Sequence, residues 1–166
     1  MEDGLETLYT WVRMTREPLM RALNALDPAR YRAPQATLAG DSIRDRHVHM
    51  AQCYIHWVAR VGLEQKVANP HVLDVAEPEA ARAVFAQADA AVEALLERFA
   101  GRLDEPFLRP VDEGRQARFT ARWLVSHPIT HEFSHKGQIV VVLRMFGVDP
   151  GDTDLVYPFE LPAAQP

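Results

Sequence analysis

Apolar residues recur at helical spacing through four long stretches of the chain. In the first, Leu5, Leu8, Val12, Leu19, Leu23 and Leu26 fall on one stripe and predict a helix over 5–26. Pro18 lies inside it and is expected to kink the helix or divide it in two, because proline lacks an N–H and crowds the carbonyl four residues back. Asp27-Pro28 to Gly40 reads as a loop. A second helix is expected from Ser42 through Trp57 to about Val67. Asp41 or Ser42 is its N-cap, Asp45 stands at capping-box spacing from Ser42, and Asn69-Pro70 closes it.

The third helix begins near Pro78, runs along Val84, Phe85, Ala88, Val92, Leu95, Leu96 and Phe99, and ends at Gly101. A long connection with Pro106, Pro110 and Gly114 follows, in which only Arg118-Phe119 suggests strand. The fourth helix spans about Thr120 to Phe146, with Gly147 as its cap and Pro150 beyond. Pro128 is expected to bend it just ahead of His131 and His135. The Pro- and Asp-rich tail after Gly147 is expected to pack irregularly. The pattern predicts an all-α fold, a four-helix bundle, with residues 1–166 as a single domain.

Composition narrows the function classes. A net charge of −5 argues against nonspecific nucleic-acid binding, which needs a basic face. Cys53 is the only cysteine, so no intrachain disulfide forms, and a cytoplasmic location is expected. The acidic start, Met1-Glu2-Asp3-Gly4, lacks the basic-then-apolar pattern of a signal peptide, and no apolar run is long enough to span a bilayer.

The chemistry is concentrated in the fourth helix. His127, His131 and His135 are spaced four apart and form one stripe, which Gln138 extends. Imidazole is the commonest protein ligand for transition metals, and an i, i+4 pair can place two nitrogens on one ion. Two histidines do not complete a catalytic site, so a third ligand is expected from the second helix, which offers His47, His49 and His56. His47 and His49 point to nearly opposite sides. His49 shares its face with Cys53 and His56, so His49 is expected inward and His47 toward solvent.

The remaining candidates each have two readings. Cys53 is a fourth ligand or pocket thiol, or, preferred, a small buried hydrophobe. His127 is a supporting group, or sits at a frayed helix start behind Pro128. Glu132 is a base reaching a metal-bound water, or a solvated surface acid. Trp11, Trp57 and Trp123 are expected as core aromatics rather than ligand platforms.

Two segments carry a resemblance. Ser42-Ile-Arg-Asp-x-x-x-His49-Met-x-x-Cys-Tyr-x-His-Trp57 and Thr130-His-Glu-x-x-His-Lys-Gly-Gln-Ile-Val-x-x-Leu-Arg-x-x-Gly147 resemble the second- and fourth-helix signatures of DinB-like proteins, the DinB/YfiT superfamily. The resemblance implies a bundle of up-down-down-up order, often a homodimer. It also implies a divalent metal, zinc or nickel in similar proteins, held by His49, His131 and His135; Zn²⁺ is the first choice, and three imidazoles suit Ni²⁺ or Fe²⁺ as well. Some similar proteins are transferases using low-molecular-weight thiols such as mycothiol or bacillithiol; others are maleylpyruvate isomerases or hydrolases.

Three functions compete. A metal-dependent enzyme on small molecules leads, as a thiol transferase, or as a hydrolase with Glu132 as base. Against a zinc protease, suggested by the literal His131-Glu132-x-x-His135, Gln138 and Val141 stand where the long form of that motif needs Gly and His. The only downstream glutamate is Glu160, in the tail. A non-catalytic, stress-related metal-binding bundle is the third.

Overall fold

The computed structural model describes residues 4–112 and 114–155. Glu160, and with it most of the tail, lies outside the described residues. The first apolar stripe is divided rather than continuous: α1 spans Leu5–Met14 and α2 Arg16–Asn24. The break falls at Thr15, three residues ahead of Pro18, whose ring in a continuous helix would meet the carbonyl of Met14. Thr15 closes α1 by donating its hydroxyl to the Val12 carbonyl at 2.6 Å.

The expected loop after α2 contains a short helix, α3, Pro28–Arg32. Asp27 caps it by accepting from the Ala29 N–H at 2.7 Å, and Pro28 occupies the first helical position, where a missing N–H costs nothing. Ser42 then starts α4, Ile43–Tyr54, through a reciprocal capping box: the Asp45 N–H donates to Ser42 Oγ at 3.1 Å and the Ser42 N–H to Asp45 Oδ2 at 2.8 Å.

The second helix does not continue as an α-helix to Val67. From Ile55 to Gly62 it widens into a π-helix. Gly62 ends this stretch against the leucines of two later helices: a Cβ there would lie 2.7 Å from Leu95 Cδ1 and 3.0 Å from Leu124 Cδ1. A single 3₁₀ turn, Pro78–Ala80, leads into α5, Ala81–Arg98, whose buried Ala81, Ala88 and Ala91 bring its backbone close to its neighbours.

The long connection holds the largest departure from an all-α reading. Residues Phe107–Asp112 form β1 and Arg115–Phe119 form β2, paired antiparallel with Phe107 opposite Phe119 and an irregularity between Pro110 and Asp112. Thr120 then caps α6, Ala121–Met145, by accepting from the Trp123 N–H at 3.2 Å. Pro128 sits inside this helix without ending it.

Among the described residues the fold is therefore mainly helical with one small hairpin. A continuous apolar core joins Val12, Leu19 and Leu23 to Val48, Met50 and Tyr54, to Val92 and Leu95, and to Leu124, Ile139 and Leu143. α4 packs chiefly on α6. His49 meets His131 and His135, while Trp57, farther along the chain, meets Trp123 and His127. The two helices thus run antiparallel along this seam. No helix among the described residues is long and apolar enough to cross a membrane.

Candidate metal centre

Three imidazoles converge where α4 crosses α6. His131 Nε2 lies 2.9 Å from His49 Nε2 and 3.0 Å from His135 Nε2. His131 and His135 are one turn apart on α6, and His49 projects from α4 opposite them. One nitrogen from each of the three can reach a common ion.

The protonation pattern fits a cation. His135 Nδ1 lies 2.8 Å from Gln138 Oε1, one turn on along α6. With the amide oxygen accepting, Nδ1 carries the proton and Nε2 keeps its lone pair, the form in which histidine binds metal. His131 Nε2 then lies between two nitrogens and, as a single ring nitrogen, cannot donate to one and accept from the other at once. At least one of the two close contacts is therefore not a hydrogen bond, and a cation accepting all three lone pairs would relieve both. Burial, then the neighbouring His135 and His49, pull His131 down to about 4. Burial followed by His135 lowers His49 as well. Neutral imidazoles are the ligand-competent state.

His49 and His47 are oriented differently from expectation. His47 does not face solvent: it is 2 % exposed, its Nδ1 lies 3.0 Å from the Tyr31 hydroxyl, and its ring packs on Phe85. Burial pushes its pKa down to about 4. His49 is the exposed one, at the rim of the seam rather than in the core. The two still point to opposite sides, as their spacing requires, but the core lies on the side of His47.

His127 is not frayed. It lies within α6, stacked on Trp123 at 5.0 Å between ring centres and 8° between planes, and on His131 at 5.8 Å and 30°. Trp123 is not a core residue, being 43 % exposed, and Trp57 and Trp11 are half-buried. Cys53, one turn beyond His49, is buried; its sulfur forms a second cluster with His127 and His131. Burial pushes the Cys53 thiol up to about 12, so it is a poor nucleophile.

Glu132 is not a surface acid. It is fully buried on the core side of α6. Arg16 Nε and Nη2 donate to its two oxygens at 3.0 and 2.9 Å, the Tyr54 hydroxyl at 2.8 Å, and Lys136 Nζ pairs with it at 2.9 Å. Burial pushes its carboxyl up, but Arg16 and Lys136 outweigh that and hold it at about 2. The network continues from Arg16 to Asp89 at 2.6 Å, from Asp89 to the Tyr9 hydroxyl at 2.7 Å, and from Lys136 to the Thr15 hydroxyl. It ties α1, α2, α4, α5 and α6 together beneath the histidines.

Reading the sequence did not find this network, although it left a signal. Arg16 falls in the apolar stripe between Val12 and Leu19. Glu132 and Lys136 fall between Ile129 and Ile139 at core spacing, as an i, i+4 pair.

A mainly helical protein with a cluster of histidines that could hold a metal ion is the class that this fold and donor set define. The DinB family model matches residues 1–162, and the chain belongs to the DinB family. No curated protein sequence matches it.

Proposed function

We propose that this protein is a divalent-metal-dependent enzyme acting on small molecules, with His49, His131 and His135 as ligands, and that its reaction is transfer involving a low-molecular-weight thiol. The observation that carries this reading is the exposure of His49 at the rim of three converging Nε2 atoms. A centre ligated there keeps one side open to a bound molecule. When bound, a divalent ion on three imidazoles supplies Lewis acidity that lowers the pKa of a thiol or water joining it. Zn²⁺ is the first choice, with Ni²⁺ or Fe²⁺ as alternatives.

The protein's own residues favour an external thiol. Cys53 is buried and its pKa is far above neutrality, so it does not supply the nucleophile. Gln138 orients His135, and His131 is held between His127 and the other two ligands. Glu132 fits an anchoring role better than that of a base, because its oxygens already receive Arg16, Tyr54 and Lys136. A four-helix bundle of up-down-down-up order, assembled as a homodimer, belongs to the same reading.

The test is conjugation of an electrophile such as 1-chloro-2,4-dinitrobenzene by the metal-loaded protein with a panel of thiols: mycothiol, bacillithiol, glutathione and cysteine. Turnover with one thiol, lost in His135→Ala, is expected. Metal-loaded protein inactive with every thiol but active on esters or amides overturns the transferase reading in favour of a hydrolase.

A further inference from the structure

Next to the histidine seam lies a cavity of about 840 Å³, within the size range of small-molecule sites. None of the three candidate ligands lines it. One wall is the π-helix that continues α4, which contributes His56, Trp57, Arg60 and Val61; the facing wall is β1. π-helical turns are rare and concentrate at functional sites, where the wider turn re-aims side chains. Here an eight-residue stretch begins two residues after Cys53. Arg109 of β1 holds the two walls together, donating to the Val61 carbonyl at 3.0 Å and the Gly62 carbonyl at 3.3 Å.

Two properties of the lining specify an occupant. The first is an aromatic side chain, Trp57. The Trp57 ring lies 5.3 Å from both Trp123 and His127, and His127 stacks on His131. Trp57 therefore belongs both to the cavity and to an aromatic seam that ends at the candidate ligands. The second is charge. The titratable groups on the lining are His56, Arg60, Glu64, Lys66 and Arg109. Glu64 and Arg109 pair at 3.2 Å and offset one another. Arg60 and Lys66 are left as two cations on a protein whose net charge is −5. Burial, then Arg60, lowers His56, which keeps it neutral and able to hydrogen-bond without adding charge.

We propose that this cavity is the substrate pocket, and that it takes an anionic small molecule with a flat unsaturated body. Its carboxylate, or an anion of like geometry, meets Arg60 and Lys66, and its ring lies against Trp57, the lining residue that touches the aromatic seam. Guanidinium and ammonium groups donate charge-assisted hydrogen bonds to such an anion, and the indole face receives the ring.

That the occupant is a substrate rests on the metal-dependent reading above; its binding does not, so the two can fail separately. The probe is 2-naphthoate, with 2-naphthamide as its neutral counterpart, followed by quenching of tryptophan fluorescence. The expected result is naphthoate binding that survives metal removal with EDTA and weakens about tenfold or more in Arg60→Ala/Lys66→Ala, while the affinity for naphthamide is unchanged. Both substituted residues are exposed, so the fold is retained, as circular dichroism will verify. Equal naphthoate affinity in wild type and the double variant overturns the proposal. So does the absence of binding, or binding that disappears on metal removal, in which case the carboxylate was ligating the ion. Naphthoate binding that persists in a His49→Ala protein without metal supports the pocket, even where thiol conjugation fails and the proposed reaction falls.

Discussion

Arg16 grips both oxygens of Glu132, Nε to Oε1 at 3.0 Å and Nη2 to Oε2 at 2.9 Å, one residue from the candidate ligand His131. This bidentate pair fastens the start of α2 to the middle of α6. It also sets the rotation of α6, because Glu132 lies about 100° round the helix from His131. With the carboxylate held in the core, His131 and His135 are turned to the seam with α4.

Removing the carboxylate leaves Arg16 and Lys136 buried with too little opposing charge. Glu132→Gln is expected to cost about 3–5 kcal/mol of folding stability, read from urea denaturation. Replacing Arg16, Glu132 and Lys136 together by apolar residues of similar size is expected to cost much less, since no unpaired charge remains. A Glu132→Gln protein as stable as wild type, yet inactive, marks the carboxylate as a catalytic base instead.

Metal content separates ligands from neighbours. His49→Ala, His131→Ala and His135→Ala are each expected to lose stoichiometric metal, measured by mass spectrometry on protein purified without a histidine tag. His127→Ala is expected to retain it. Gln138→Ala is expected to weaken binding by about 10–100-fold, because His135 loses the partner that fixes its tautomer. Stripping the metal is expected to lower the melting temperature, since an ion at about a hundredfold excess over its Kd stabilises the folded state by about 2.7 kcal/mol. Metal retained by all three alanine variants overturns the centre.

His47 makes stability depend on pH. Its folded pKa of about 4 lies below the unfolded value of about 6.5. Between these values the unfolded chain binds a proton that the folded chain excludes, so the stabilising contribution is complete above about 6.5 and is lost as pH falls toward 4. For one proton the slope is about 1.4 kcal/mol per pH unit. Urea titrations of metal-free protein across this window are expected to be steeper for wild type than for His47→Gln, by up to that slope. Equal slopes place the proton elsewhere.

Cys53 is expected to be inert in the folded protein. Its thiol is buried and its pKa is raised to about 12, leaving almost no thiolate at pH 8. Iodoacetamide labelling followed by intact mass is expected to be slow in buffer and complete in urea. Rapid labelling of the native protein indicates that the α4–α6 seam opens.

Local chemistry made much of the fold legible. Asp45 three residues after Ser42 is a capping box in the sequence and in the structure, because a cap is satisfied within one turn. Pro18 marked the division of the first helix, and Gly147 the end of the last, where its φ of 74° suits a residue without Cβ. Of the hairpin only Arg118-Phe119, at the end of β2, was legible, because β1 and β2 lack an apolar alternation. Leu108 and Val111 of β1 are exposed, and β1 is tied to the π-helix by side-chain contacts such as Arg109 with the Val61 carbonyl. The π-helix was missed for a related reason: its apolar pattern serves an α-helix as well, and tertiary packing at Gly62 helps decide between them.

The i, i+4 spacing of His131 and His135 was sufficient to pair them, since any helix places such residues on one stripe. The opposite facing of His47 and His49 followed equally from their spacing of two. Which of them the core would take did not follow, because both sides of α4 are largely buried and helical period does not say which neighbour lies where. Tertiary structure decided it: Tyr31 and Phe85 receive His47, and α6 brings His131 and His135 to His49. It also turned Glu132 from a motif glutamate into the buried partner of Arg16, 116 residues away in the chain. Sequence alone determined the caps and apolar stripes of the long helices, because those depend on residues within a turn, although not the widening of α4 after Tyr54. Only folding determined what each helix face meets, because that depends on residues far apart in the chain.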